Sequence, residues 1–245
     1  MLEGVLQCSK YAFGPNRLHY CGPDANREIF SYIEEGAADP HLKVLLKNFR
    51  TMYPYLVHIA HANGIADPFD ARVVEAYWIG NELLEKAGGR GLYKHLQEDQ
   101  KLPRKVSIPA FSRVSDIIRE GAFPHHSFHV FSITMRTGNL RELHTLESMD
   151  ACRISWGKIV MVDGPFLTVE TEPLVTENDK LALGKPIQKR IARALECESD
   201  IEQVKPNDIV TIHWEVPCEI ITEKQARTLR RYTLTHIELA NRIPL

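Results

Sequence analysis

Cys152-Arg153-Ile154-Ser155-Trp156-Gly157-Lys158-Ile159-Val160-Met161-Val162 is the stretch that decides the fold class, because the chain changes its period here. Upstream the apolar residues recur at helical spacing. From Ile154 onward β-branched residues dominate, and Asp163-Gly164-Pro165 supplies a turn before a second β-rich run from Phe166 to Val175. Ile209-Val210-Thr211-Ile212-His213-Trp214 predicts another strand, introduced by the turn residues Lys205-Pro206-Asn207-Asp208. A closing helix is expected from Thr222, where Thr222-Glu223-Lys224-Gln225 fits a capping box and Leu229, Tyr232, Thr233, Ile237 and Leu239 form a buried side. Strands followed by one helix over residues 150–245 suit a small OB-like β-barrel with a C-terminal helix. The basic stretch Lys185 to Arg193 reads as helix-like, a solvated face without the aromatic residues that nucleic-acid stacking needs.

Working back from Cys152, residues 1–145 read as an α-helical domain, so the whole is expected to be α+β. Asp24 to Glu35 is one helix, ending at Gly36. Asp39-Pro40 starts a second through Leu42, Leu46 and Phe49, broken near Tyr53-Pro54 and stopped at Asn63-Gly64. Asp67-Pro68 starts another through Val73, Val74, Tyr77, Trp78, Leu83 and Leu84, ending at Gly88-Gly89. A further one runs from Phe111 to Arg119. The domain boundary is expected at residues 138–150, around Thr137-Gly138-Asn139.

The chain has 245 residues, 44% apolar and 25% charged, with a net charge of −2. That balance gives no global field for nucleic acid or an anionic membrane. Met1-Leu2-Glu3-Gly4 carries no cationic stretch before an apolar core, and no run is long and apolar enough for a membrane span. Five cysteines without C-x-x-C spacing argue against a disulfide framework or a zinc ribbon, so a cytoplasmic protein with reduced thiols is expected. Dinucleotide, P-loop, G-x-S-x-G and H-E-x-x-H motifs are all missing.

The candidate chemistry lies in cysteine and histidine. His125-His126-Ser127-Phe128-His129 is the densest histidine cluster. Extended, it puts His125 and His129 on one face and His126 on the other; helical, it sets His125 and His129 one turn apart, at chelating distance. Otherwise these residues cap a turn after Pro124. Cys152 is either a small apolar residue opening a strand or a soft thiolate ligand, with Arg153 and Lys158 nearby to favour the anion and His213 as a second ligand. His58 and His61, at helical spacing, read as core or surface residues, and Tyr20-Cys21-Gly22-Pro23-Asp24 as a tight turn. Cys218, five residues beyond His213, is a weaker ligand candidate, and Cys8 and Cys197 stand alone.

Taken together, Cys152-x-x-x-x-Gly157-Lys158, the run Ile159 to Asp163, the turn and strand Val204 to His213, and Ile220 to Ala226 resemble the HypC/HupF family of hydrogenase-assembly chaperones. Cys152 lies inside the chain where that family's cysteine follows the initiator, Trp156 replaces a proline, and Asn207 replaces a glycine. The resemblance implies an accessory protein for maturation of a [NiFe] hydrogenase or related metallocentre. Its thiolate would carry or scaffold iron bearing cyanide and carbonyl ligands. Partners would be the hydrogenase large subunit or other maturation proteins, met through Trp156, Gly157 and Lys158. The metal set would be drawn from Cys152, His213, His125, His126 and His129. Tyr20 to Asp24, Asn63 to Asp67 and His125 to His129 are similar to the N-terminal part of a family of uncharacterised bacterial proteins. The alternative function is a metal-dependent enzyme with a His-lined site in the helical domain.

Overall fold

The computed structural model describes residues 3–133, 145–193 and 203–242. The expected boundary residues Thr137, Gly138 and Asn139, along with Met1, Leu2 and Cys197, lie outside them. The N-terminal part is helical: α1 (Glu3–Arg17), α2 (Asn26–Glu34), α3 (Pro40–Lys47), α4 (Met52–Ala62), α5 (Ala71–Trp78), α6 (Leu83–Ala87), α7 (Gly89–Lys94), α8 (Ile108–Arg119) and α9 (His126–Phe128). Short π-helical turns follow α7 at His95–Asp99 and α9 at His129–Ile133. Side-chain caps set several starts: Asp39 accepts from His41 and Leu42 amides, Asp70 from Arg72 and Ser107 from Ala110.

The helix expected from Asp67-Pro68 to Gly88-Gly89 is instead two, α5 and α6. Gly80 breaks it, with φ +99, at a point where a Cβ would lie 2.2 Å from the Tyr232 ring. The break expected at Tyr53-Pro54 falls earlier, between Lys47 and Met52, because proline is tolerated in a first helical turn. α1 has no counterpart in the sequence reading.

After α10 (Leu146–Cys152) come β1 (Ser155–Asp163), β2 (Phe166–Thr171), β3 (Leu174–Glu177), β4 (Lys180–Leu183), β5 (Ile187–Ala192), β6 (Ile209–His213) and β7 (Val216–Ile221), then α11 (Glu223–Arg242). The fold is α+β. Five antiparallel strands pair in the order β5-β2-β1-β6-β7, and β3-β4 is a separate hairpin. The edge strands β5 and β7 approach each other, Cα to Cα within 8 Å, so the sheet curls towards a barrel. The stretch Lys185 to Arg193 holds a strand rather than a helix: β5, Ile187–Ala192, pairs with β2 from Ile187↔Thr171 to Ala192↔Phe166 and turns Ile191 into the barrel. Its alternating burial is period 2, which the dense cations disguise.

Ile159, Leu167, Val169, Ile191, Val210 and Ile212 fill the barrel interior. A larger cluster joins the two halves, combining Val5, Cys8 and Tyr11 of α1, Val73, Val74 and Tyr77 of α5, Cys218 and Ile221 of β7, and Leu229 and Tyr232 of α11. α11 begins at the capping box: the Thr222 amide donates to Gln225 Oε1 at 2.9 Å, and the Gln225 amide to Thr222 Oγ1 at 3.2 Å.

Candidate metal centre

Three elements end at one point. α9 begins with His126, α10 ends with Cys152 and β6 ends with His213. One ligand atom from each of these three side chains lies within 4.8 Å of the other two. All are buried, His213 at 1% exposure, His126 at 6% and Cys152 at 8%.

Each side chain is held by its own contacts. His213 Nδ1 lies 2.7 Å from the Tyr11 carbonyl of α1. A carbonyl only accepts, so Nδ1 carries the proton and Nε2 is a bare lone pair. That Nε2 is buried and has no hydrogen-bond partner. An imidazole oriented by Nδ1–H on a backbone oxygen, with Nε2 exposed to its neighbours, is how metal-ligating histidines are commonly set. α1 approaches β6 closely because Gly14 permits it; a Cβ there would meet the His213 carbonyl at 2.5 Å.

His126 Nε2 donates to the Cys152 carbonyl at 2.8 Å, which leaves Nδ1 to accept from the Tyr77 hydroxyl at 3.1 Å. Trp78 packs against both imidazoles, with ring centroids 4.7 Å from His126 and 5.6 Å from His213. Cys152 is fixed through its neighbours. Arg153 is buried, bonds Asp150 at 2.8 Å and the Glu172 carbonyl at 2.5 Å, and so clamps α10 to the β2-β3 connection. Asp150 also accepts from the Leu174 amide at 2.9 Å.

Burial drives the imidazoles towards their neutral form. It lowers His213 to about 4, and it holds His126 well below 6.5 with help from His213. Both rings therefore offer lone pairs at neutral pH. The donor set is a cysteine sulfur and two imidazoles, which suits soft and borderline transition metals rather than magnesium or calcium.

Of the five metal candidates, the structure brings Cys152, His213 and His126 together. His125 and His129 go elsewhere. His236 of α11 accepts the Phe123 amide on Nε2 at 3.2 Å, so its Nδ1–H donates to Ser127 Oγ at 2.8 Å. Ser127 in turn donates to His125 Nδ1 at 2.7 Å. This fully buried chain ties α9 to α11. His129 Nδ1 lies 3.4 Å from the Tyr55 hydroxyl. The helical turn beginning at His126, with His125 as its cap, is what separates these three rings.

Gly157 is buried, and a Cβ there would lie 2.9 Å from Val169 Cβ, so it lets β1 and β2 approach. Trp156 is half-buried with Arg153 over its ring at 5.8 Å, and Lys158 is exposed. His58 donates to the Ala87 carbonyl at 2.6 Å and stacks on His95, while His61 is exposed. Asn16 binds the Cys21 and Pro23 carbonyls at 2.8 and 2.7 Å, holding that segment as a turn. Buried Cys218 contacts the Val216 carbonyl, outside the triad. Sequence reasoning missed Tyr11, Tyr77 and Trp78, which hold the site. Their only sequence signal was apolar periodicity.

The family model for the Family of unknown function (DUF6390) matches residues 1–244, through both the helices and the strands. The chain belongs to this family. No curated protein matches it, and no solved structure does. In this DUF6390 chain, none of the helices among the described residues is long and apolar enough to cross a membrane.

Proposed function

We propose that this DUF6390 chain is a metal-handling accessory protein that holds a transition-metal ion through the Cys152 thiolate and the imidazoles of His126 and His213. The observation that carries this reading is the convergence of the three donor atoms within 4.8 Å, one of them the unpartnered buried Nε2 of His213. A buried nitrogen left without a hydrogen bond is one that a bound ion can satisfy. The HypC/HupF-like features give the reading a context, maturation of a [NiFe] hydrogenase or a related metallocentre. There the ion is iron, the partner is the hydrogenase large subunit or another maturation protein, and the work is cytoplasmic. Thiolate suits low-spin iron(II) carrying strong-field ligands. Near-complete burial of all three donors argues against turnover of a bulky substrate, and so favours holding an ion over the metal-dependent enzyme.

Anaerobic co-expression with maturation partners, followed by metal analysis and infrared spectroscopy, tests both levels. About one equivalent of metal, lost in Cys152→Ala and His213→Ala, is the expected result for the site. Bands in the cyanide and carbonyl region that vanish with Cys152 support the iron context. Metal without such bands removes that context, and a metal-free protein from metal-replete cells removes the proposal.

A further inference from the structure

The character of the ion follows from the number of donors and their charge. Among the described residues the group contains three side chains and no carboxylate. Zinc in a structural site takes four protein ligands, and in a catalytic site three plus a water. A water needs two to four polar partners and room. Here the indole of Trp78 packs against both imidazoles, with ring centroids at 4.7 and 5.6 Å, and His213 is 1% exposed.

Charge points the same way. Once deprotonated by metal binding, Cys152 would be the one anionic donor of the group, and the nearby Asp150 carboxylate is already paired with Arg153. A divalent ion would leave one uncompensated positive charge in a buried site, which is costly in a low dielectric. A monovalent ion leaves none.

Resting on the triad as a metal site but replacing its iron context, we infer that the triad selects copper(I), a soft, monovalent ion satisfied by three donors, over zinc(II) and iron(II). Binding forms a copper–sulfur bond, breaks the S–H bond of Cys152 and releases its proton to water. The copper enters as copper(I), so no electron is transferred. His213 gives the lone pair on Nε2 without rearrangement. His126 exchanges the hydrogen bond from Nε2 to the Cys152 carbonyl for the metal; its ring proton moves to Nδ1, which then donates to the Tyr77 hydroxyl oxygen.

The test uses the full chain, reduced and anaerobic, equilibrated with copper(I) against a chromophoric copper(I) chelator, and in parallel with zinc(II) and iron(II) against their own chelators. X-ray absorption at the copper edge gives the coordination. Retention of one equivalent of copper(I), three-coordinate with one sulfur and two nitrogens, while zinc(II) and iron(II) are withdrawn, is the expected result. Cys152→Ser and His213→Ala, each checked for folding by circular dichroism, are expected to lose the copper. Retention of zinc(II) or iron(II) with copper(I) surrendered overturns the choice of ion and leaves the triad standing. Copper held equally by both variants places it elsewhere and overturns ion and triad alike, as does a wild-type protein that retains none of the three metals.

Discussion

Tyr77 shows how a residue with no ligand atom of its own controls the candidate site. Its hydroxyl meets His126 Nδ1 at 3.1 Å, and its ring stacks on Tyr55 at 5.5 Å. With Nε2 of His126 turned to the metal, that hydroxyl would accept the Nδ1 proton and hold the ring in its binding tautomer. Tyr77→Phe keeps the packing and deletes the contact. Metal affinity is expected to fall about 10- to 100-fold, as for other residues that orient a ligand, with the melting temperature nearly unchanged. Competition against a chelator measures it, and an unchanged affinity would remove Tyr77 from the site. At this scale the sequence was legible only in part. Cys152 and His213 stood out through their flanking motif. His126 was one of three histidines in a row, and its separation from His125 and His129 depends on a helical turn whose start is set by contacts from α11, more than a hundred residues away.

At the scale of elements, the break between α5 and α6 is the point where the two halves interlock. Gly80 takes φ +99, and the Tyr232 ring of α11 fills the space where a side chain would stand. The Tyr232 hydroxyl also donates to the Asn81 carbonyl at 3.2 Å. Gly80→Ala combines a left-handed backbone penalty with overpacking, so a loss of about 2–4 kcal/mol is expected in chemical denaturation. A loss below about 0.5 kcal/mol would show that α11 slides freely over this turn. Element types were readable wherever a cap or a clear period marked them, as at Asp39, Asp70 and Thr222. The reading failed at β5, where Lys189 and Arg190 beside Ile187 and Ile191 looked like a charged helix face; the pairing with β2 that makes them strand is a tertiary fact.

For the whole molecule, burial of histidine sets the response to acid. Burial lowers His125 to about 3 and His95 and His213 to about 4, and pushes His126 and His236 well below 6.5. In the unfolded chain these rings titrate near ~6.5. Below that pH the unfolded state binds more protons than the folded one, so stability falls as pH drops. Stability of the metal-free protein is therefore expected to be level above about pH 7 and to decline steeply from about 6.5 towards 4. Denaturation midpoints across that range measure it, and a flat profile would mean that these rings reach solvent in the folded state. The α+β class and the order of helices before strands were legible from the change of period at Cys152. The shared core was not, because Val5, Tyr11, Cys218 and Leu229 meet only once both halves are folded.

The hydrogen bond between His213 and the Tyr11 carbonyl spans 202 positions of the chain. On the ribosome the N-terminal part emerges and begins to fold first. α1 therefore waits through most of synthesis for the imidazole it will orient, and no nascent or truncated chain ending before β6 has the complete donor set. Loading with metal would in this way be confined to finished molecules, and the long wait would also make closure of the site among the slower events of folding, as expected when contacts join distant parts of a chain.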